Sequence, residues 1–392
     1  MPPPKKTTKE PEEKKEEQVS SKDLLGSFLQ ENKDEHLAFV RPKQIRISTG
    51  SLILDSLVTV RSGGVVRLVG KGAELGKSSE AFVLADNYMH TMPKSKTLFV
   101  KAEARLTPEI VARSGLNFVY KAEDWAEGTV FVFPCNVFEV MAELLEFVIP
   151  QMHESNEHLC IIIDSLDGLI LRTDKAKNVW GAKADNVKVA GVPLLTKLLF
   201  RRLGLLLAHY DALMLVTGQF SADIKLDPYS PGTPRQAETS GGNAIAHQSD
   251  YVFQYLPRYQ GDYILENPNE KPDYLKNKTV GIYATLEIKK SGTDVSGSRI
   301  KIPIKKGRVG NAIWREREIV DMMLAWELLK KSGSWIQVDP SILTEIEKNT
   351  GIKLPEKVQG LEKVYAALEA EPKVVEYLFQ KFSELSTSRL ET

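Results

Sequence analysis

The sequence has few cysteines, no net charge and no long apolar runs. Its two cysteines, Cys135 and Cys160, lie among apolar residues, which excludes a disulfide framework and favours buried free thiols in a reducing compartment. The 52 basic and 52 acidic residues cancel, so nucleic-acid binding would have to come from local patches. No apolar run approaches the ~18 residues of a membrane span, and the N-terminus lacks the apolar core of a signal peptide. We therefore expect a cytoplasmic protein without a membrane partner.

The N-terminal region is expected to contribute little to a folded core. Residues 1–18 contain five Lys, five Glu and four Pro and almost nothing apolar, which predicts a disordered tail. Apolar residues at helical spacing then predict one short amphipathic helix over 24–31. Because a lone helix of this length is marginal in water, it should dock on its own core or on a neighbouring subunit. We assign 19–45 to this N-terminal helix and oligomerisation segment.

Residues 46–310 alternate short β-branched runs with helical segments. Predicted strands lie at 65–69, 97–100, 129–133, 160–163 and 213–216, and the clearest helices are at 138–152 and 192–210. This alternation predicts an α/β fold with a mostly parallel, doubly wound sheet covered on both faces. Three later runs, at 251–256, 280–288 and 299–305, follow without long helices between them, so they should extend the sheet as antiparallel strands.

The last part of the chain, 311–392, has a different pattern. Helical periodicity predicts helices at 316–332, 341–350, 359–370 and 372–385, with a break at 333–335. We expect a small, mostly α C-terminal domain.

A glycine-rich stretch, GKGAELGKSS at 70–79, follows the first core strand and opens a predicted helix. Such a turn cradles phosphates through backbone N–H groups, a Lys for the outer phosphates and a hydroxyl for magnesium. The standard loop has four residues between its first glycine and the Gly-Lys pair, which would place that first glycine on Lys71. The spacing therefore departs from the standard loop, and a plain βα turn stays an alternative. The candidate nucleotide-binding residues are Gly70, Lys71, Gly72, Ala73, Glu74, Leu75, Gly76, Lys77, Ser78 and Ser79.

Two carboxylates end predicted strands at the same edge of the sheet. Asp164 ends an apolar strand, where it could bind magnesium together with Ser78, or simply cap the next turn. Glu103 ends the strand at 97–102 and could polarise an attacking water; the alternative is an exposed loop residue. Together with the glycine-rich loop, the two carboxylates predict a magnesium-nucleotide site at the carboxyl edge of the sheet.

Several short segments resemble RecA-type DNA strand-exchange recombinases. They lie at 47–55, 100–103, 163–165, 216–219, 239–244 and 328–335, and they keep the order of that family over about residues 20–340. The resemblance implies a RecA-like P-loop ATPase core with ATP (or dATP) and Mg²⁺ as cofactors. It also implies a filament with ATP between subunits that binds single-stranded DNA, pairs homologous duplex DNA and exchanges strands, with single-strand-binding and loading proteins as further partners.

The same resemblance implies roles for individual residues. Lys77 and Glu103 would be catalytic, and Gln219 would sense the γ-phosphate and begin the second DNA-binding loop. Lys289 and Lys290 occupy the place of a lysine pair that contacts the γ-phosphate bound by the neighbouring subunit; two consecutive lysines after a strand are otherwise usually solvated.

Two DNA-binding loops are expected at about 172–190 and 219–242. Basic residues would neutralise phosphates, and aromatic residues would stack on bases or wedge between them. The candidate DNA-binding residues are Arg172, Lys175, Lys177, Trp180, Lys183, Lys188, Phe220, Tyr229, Arg235, Gly241, Gly242 and Asn243. The alternative is that both segments are merely flexible surface loops.

The chain also departs from the family pattern. Its phosphate loop is one residue longer, Thr107 and Ile110 stand where an acidic residue and an aromatic usually lie near the base, and His247 replaces an interface aromatic. These differences point to a divergent bacterial or phage-type member. Two other functions stay open: a non-hydrolysing RecA-like DNA-binding or mediator protein, and a ring-forming RecA-core motor such as a helicase.

Overall fold

The computed structural model describes residues 20–33, 43–70, 76–103, 106–172, 191–219, 245, 247–273 and 275–390. The chain divides into two compact units, 1–41 and 42–392. Helix α1 (Ser21–Glu31) forms the described part of the first unit, and the Ser20 hydroxyl caps it by accepting the N–H of Lys22. This confirms the predicted N-terminal helix. The predicted tail at 1–18 lies outside the described residues.

A large mixed sheet forms the centre of the second unit. A short antiparallel pair, β1 (Arg46–Ile47) and β2 (Val60–Arg61), precedes it. The strands of the large sheet are β3 (Val65–Gly70), β4 (Ser95–Lys101), β5 (Asn117–Val119), β6 (Thr129–Phe133), β7 (His158–Asp164), β8 (Leu213–Gln219), β9 (Tyr251–Tyr255), β10 (Tyr263–Leu265), β11 (Thr279–Lys290) and β12 (Arg299–Lys305). The strand order is β10-β11-β9-β3-β8-β7-β4-β6-β5, with β12 also paired to β11. Strands β3 to β9 are parallel, and β10, β11 and β12 pair antiparallel.

One strand direction differs from the prediction. The run at 251–256 was expected to be antiparallel, but β9 pairs with β3 in parallel register, Val66 opposite Tyr251 and Gly70 opposite Tyr255. The connection from β8 to β9 spans more than 30 residues, which is long enough for the crossover that a parallel pair requires. The antiparallel prediction for the other two runs is confirmed by β11 and β12.

Helices cover both faces of this sheet. They are α2 (Leu52–Asp55), α3 (Lys77–Thr91), α4 (Pro108–Ser114), α5 (Phe138–Glu154) and α6 (Gly191–His209). Strand β7 shows why both faces are apolar: Cys160 and Ile162 pack in the cluster that contains α3, whereas Ile161 and Ile163 pack in the cluster that contains α5 and α6. Such alternation with apolar residues on both sides is what a fully covered parallel strand requires. The α/β class and the mostly parallel central sheet are therefore confirmed.

The C-terminal part contains a small sheet besides its helices. Its elements are α7 (Arg315–Ala325), β13 (Leu329–Ser332), β14 (Trp335–Val338), α8 (Pro340–Thr350), β15 (Lys357–Gln359), α9 (Leu361–Glu369) and α10 (Pro372–Leu390). The predicted helix at 316–332 is wrong in its second half, because the chain reverses at Gly333 with φ +63° and pairs Leu329 with Val338. The other three predicted helices are present. Among the described helices, none combines the length and the apolarity needed to cross a membrane.

Candidate functional site

Four neighbouring parallel strands bring the predicted site residues to one edge of the sheet. In the order β3, β8, β7 and β4, Gly70 lies opposite Gln219, and Lys101 lies opposite Asp164. Glu103 follows β4 by two residues. Because the carboxyl ends of parallel strands meet at the same edge, the sequence-predicted Gly70, Glu103, Asp164 and Gln219 lie side by side there.

Helix α3 begins at this edge. Gly76 precedes it with φ +106°, a left-handed conformation that favours glycine, and no side chain caps the helix. The first-turn N–H groups and the helix dipole therefore make its N-terminus suited to an anion. Lys77 and Ser78 occupy the first turn, and Ser79 is exposed beside them. Residues 71–75, which include the predicted Lys71, Gly72, Ala73, Glu74 and Leu75, lie outside the described residues.

A hydroxyl and a carboxylate meet where magnesium was predicted. The Ser78 hydroxyl donates to Asp164 Oδ2 at 3.0 Å, and the Thr217 hydroxyl donates to Asp164 Oδ1 at 2.6 Å. Burial raises the pKa of Asp164, while these two hydrogen bonds and the nearby Lys77 ammonium act to lower it. An oxygen pair of this kind fits Mg²⁺, which binds through few protein oxygens and keeps positions for phosphate and water. Thr217 was not singled out from the sequence, although it lies in the strand that was.

Glu103 is held beside this pair by the turn that follows β7. The Ser165 hydroxyl donates to Glu103 Oε1, and the backbone N–H of Ala102 donates to the Asp164 carbonyl at 3.0 Å. Glu103 is half-buried. The Ser165 hydrogen bond thus orients the Glu103 carboxylate next to the Asp164 carboxylate. The sequence predicted only that the two residues lie at the same edge of the sheet.

A cleft of about 630 Å³ opens beside the start of α3. Its walls are mostly apolar, with Val83 from α3, Ile110 from α4 and Ile302 from β12. Arg113, Lys305 and Lys306 supply positive charge at its lining. Thr107, predicted near a base, instead caps α4 through its hydroxyl, which accepts the Ile110 N–H at 3.4 Å. The cleft has the size and the apolar character of a small-molecule site.

Buried acids lie behind the first turn of α3. Burial raises the pKa of Glu80 to about 8, and it also raises that of Glu318 to about 8 and that of Asp55. Glu318 accepts the Leu52 N–H at 3.0 Å, whereas Glu80 Oε1 and the Tyr255 hydroxyl are buried and have no hydrogen-bond partner among the residues that the structure describes. At neutral pH the shifted pKa values keep the Glu80 and Glu318 carboxyls protonated.

These acids make stability fall as pH rises. Glu80 and Glu318 have folded pKa values near 8 against an ordinary 4.5, so between these pH values the unfolded state has lost protons that the folded state retains. The free energy of unfolding should decrease by about 1.4 kcal/mol per pH unit for each group across that window and level off above it. We expect Glu80→Gln and Glu318→Gln each to flatten the slope of stability against pH, measured by denaturant unfolding from pH 5.5 to 8.5. Exposed Glu109→Gln is the control, and variant slopes equal to that of the unmodified protein would contradict the assignment.

The predicted lysine pair lies away from the carboxyl edge. Lys290 is opposite Val252 near the start of β9, whereas Gly70 is opposite Tyr255 at its end. The Lys290 ammonium donates to the His247 carbonyl at 2.8 Å, and that of Lys289 forms an ion pair with Glu287. Within one chain the structure does not bring these lysines to Asp164 and Ser78.

Arg172 is the described member of the predicted DNA-binding set. It forms an exposed ion pair with Glu143 at 3.0 Å. The other members lie outside the described residues and stay predictions: Lys175, Lys177, Trp180, Lys183, Lys188, Phe220, Tyr229, Arg235, Gly241, Gly242 and Asn243.

No protein-family model matches the sequence, and a comparison with curated proteins finds no match either. The chemistry of the site must therefore be inferred from its own residues.

Proposed function

We propose that this chain is a RecA-type recombinase, an ATP- and single-stranded-DNA-dependent protein that forms filaments, pairs homologous duplex DNA and promotes strand exchange. One observation carries the proposal: the Ser78 hydroxyl and the Asp164 carboxylate are hydrogen-bonded at the sheet edge where Gly70, Glu103 and Gln219 also end. If Asp164 only capped the next turn, Ser78, Glu103 and Gln219 would not be needed beside it. The combination matches the parts that phosphoryl-transfer enzymes use.

Nucleotide binding is assigned to α3 and the cleft beside it. The uncapped N-terminus of α3 and the Lys77 ammonium would hold the phosphates. Ser78 and Asp164 would hold Mg²⁺, which neutralises charge on the phosphate oxygens when bound. The apolar cleft that Ile110 lines would take the base of ATP or dATP through its faces rather than through charged contacts.

Hydrolysis is assigned to Glu103. Within the described part of the chain its carboxylate forms no ion pair with a basic residue, and the Ser165 hydroxyl orients it, so it can accept a proton from a water that attacks the terminal phosphate. Attack on the terminal phosphorus would break its bond to the β-phosphate oxygen, releasing inorganic phosphate and leaving the nucleoside diphosphate in the cradle at the start of α3. Glu103 thus removes a proton, and Lys77 stabilises the developing phosphate charge.

Coupling to DNA and to a neighbouring subunit is assigned to the strand ends. Gln219 lies beside Gly70 at the nucleotide edge and is the first residue of the predicted second DNA loop. Lys289 and Lys290 lie away from the carboxyl edge of the sheet in their own subunit, which suits a role at the nucleotide of an adjacent subunit. The exposed Leu24, Leu25 and Phe28 of α1 suit docking in a filament.

Nucleotide-dependent DNA binding tests this proposal. We expect a fluorescently labelled oligodeoxythymidine to bind at least tenfold more tightly with Mg²⁺ and a non-hydrolysable ATP analogue than with ADP, because the triphosphate orders the Gln219 end of the site. Electron microscopy of the same mixture should show extended helical filaments. DNA affinity that is independent of the nucleotide would contradict the proposal, and closed rings around DNA would instead indicate a motor.

A further inference from the structure

A further acidic residue, Asp167, follows β7 and lies between Glu103 and Gln219. The turn Leu166–Gly168 follows Ser165, and its Asp167 accepts the backbone N–H of Gln219 through Oδ2 at 2.7 Å. The Ser165 hydroxyl, which donates to Glu103, lies 3.5 Å from the same Asp167 oxygen. Hydrogen bonds therefore link Ser165 to Glu103 and Asp167 to Gln219, while the Ser165 hydroxyl, whose one hydrogen goes to Glu103, only touches the Asp167 carboxylate. These contacts place Glu103 and Gln219 at two ends of one row of side chains, although their strands are not adjacent in the sheet.

The turn is packed closely enough to hold this arrangement. A Cβ atom added at Gly168 would lie 2.9 Å from the Ala102 carbonyl oxygen and 3.1 Å from Glu103 Cγ. Contacts below about 3.0 Å are not tolerated against backbone atoms, so glycine is required at 168 for the turn to approach the Glu103 segment. The turn that carries Asp167 is therefore packed directly against the segment that carries Glu103.

A buried arginine lies within electrostatic range of Asp167. Arg67 in β3 is 1% exposed and lies in register between Val216 of β8 and Val252 of β9. Burial lowers its pKa to about 10, and the Asp167 carboxylate acts in the opposite direction by favouring the charged guanidinium. A buried cation under the nucleotide edge is costly without an opposite charge nearby. Asp167 thus contributes an opposite charge near the buried Arg67.

We propose that Asp167 is a positioning residue that couples Glu103 to Gln219, with the Ser165 hydroxyl as the connecting group. This inference rests on the proposed ATPase function, in which Glu103 activates water and Gln219 reports the nucleotide state to DNA. When DNA binding displaces Gln219, Asp167 shifts with it, and Ser165 then changes the orientation of the Glu103 carboxylate. Asp167 therefore transmits DNA binding to hydrolysis without contacting the nucleotide.

The test uses two substitutions at one position. Asp167→Ala removes the acceptor for the Gln219 N–H, and Asp167→Asn keeps an acceptor oxygen of the same shape while removing the charge. We expect Asp167→Ala to lose about tenfold of the stimulation of kcat by single-stranded DNA, with the KM for ATP unchanged within about twofold. Asp167→Asn should recover part of that loss. Exposed Asp124→Ala is the matched control and should behave as the unmodified protein.

Amide hydrogen exchange of the peptide covering 213–219 gives a readout that needs no catalysis. Faster exchange in Asp167→Ala than in the unmodified protein is expected, because the Gln219 N–H loses its acceptor. Unchanged exchange, or full DNA stimulation in Asp167→Ala, overturns the inference, as does an equal loss of kcat and nucleotide affinity. If the unmodified protein hydrolyses no ATP, the proposed function fails instead, and hydrogen exchange still decides whether Asp167 positions Gln219.

Discussion

Replacing Lys77 by alanine is expected to weaken binding of Mg²⁺-ATP by at least about 100-fold. Lys77 opens α3 at the point where the first-turn N–H groups face the nucleotide edge. Burial raises the pKa of Asp164, and the Lys77 ammonium is near enough to that carboxyl to oppose the rise. Removal of this charge leaves the outer phosphates without a charge-assisted hydrogen bond. Titration with a fluorescent ATP analogue in the presence of Mg²⁺ measures the change directly.

His90→Ala is the control for this substitution. His90 lies in the last turn of the same helix and is exposed, and its ion pair with Asp86 contributes little. The variant should bind nucleotide as the unmodified protein does. If Lys77→Ala retains full affinity while the helix remains folded by circular dichroism, the start of α3 is not a phosphate site.

Glu103→Gln should separate binding from hydrolysis. Glutamine preserves the size of the side chain and can still accept the Ser165 hydroxyl hydrogen, but it cannot take up a proton from water. We expect turnover to fall by about 10²- to 10⁴-fold while affinity for Mg²⁺-ATP stays within about threefold. Filaments on single-stranded DNA should then persist with ATP, which negative-stain electron microscopy can record over time.

Glu123→Gln provides the comparison, since Glu123 is an exposed carboxylate in the short turn before β6. It should have normal turnover. Unchanged hydrolysis in Glu103→Gln would remove Glu103 from the catalytic assignment. Loss of nucleotide binding in the same variant would show that the carboxylate has a structural role.

Local sequence patterns were sufficient to predict much of the fold. They failed where the structure of a segment depends on pairing with a strand that is distant in sequence. The run of β-branched residues in β7 gave both its strand character and its burial. The direction of β9 could not be predicted locally, because it depends on a crossover and on pairing with β3. Likewise, 329–332 carries helical spacing after α7, but pairing with β14 across the Gly333 turn makes it a strand.

The same limit applies to the candidate site. Asp164 and Glu103 were predictable because each ends an apolar run, and parallel strands share an edge. The link between Glu103 and Gln219 through Asp167 was not predictable, because the Gln219 N–H that Asp167 accepts lies 52 residues away in sequence. Glu80 was also missed: a glutamate in the first turn of a helix is usually solvated, and its burial depends on packing around Tyr255 that only the folded chain reveals.

ATP hydrolysis by the unmodified protein with Mg²⁺, measured with and without single-stranded DNA, tests the central claim most directly. The arrangement of Ser78, Asp164, Glu103 and Gln219 at one edge predicts turnover that DNA stimulates strongly. Tight DNA binding with no hydrolysis under either condition would contradict it and would indicate a RecA-like binding or mediator protein instead.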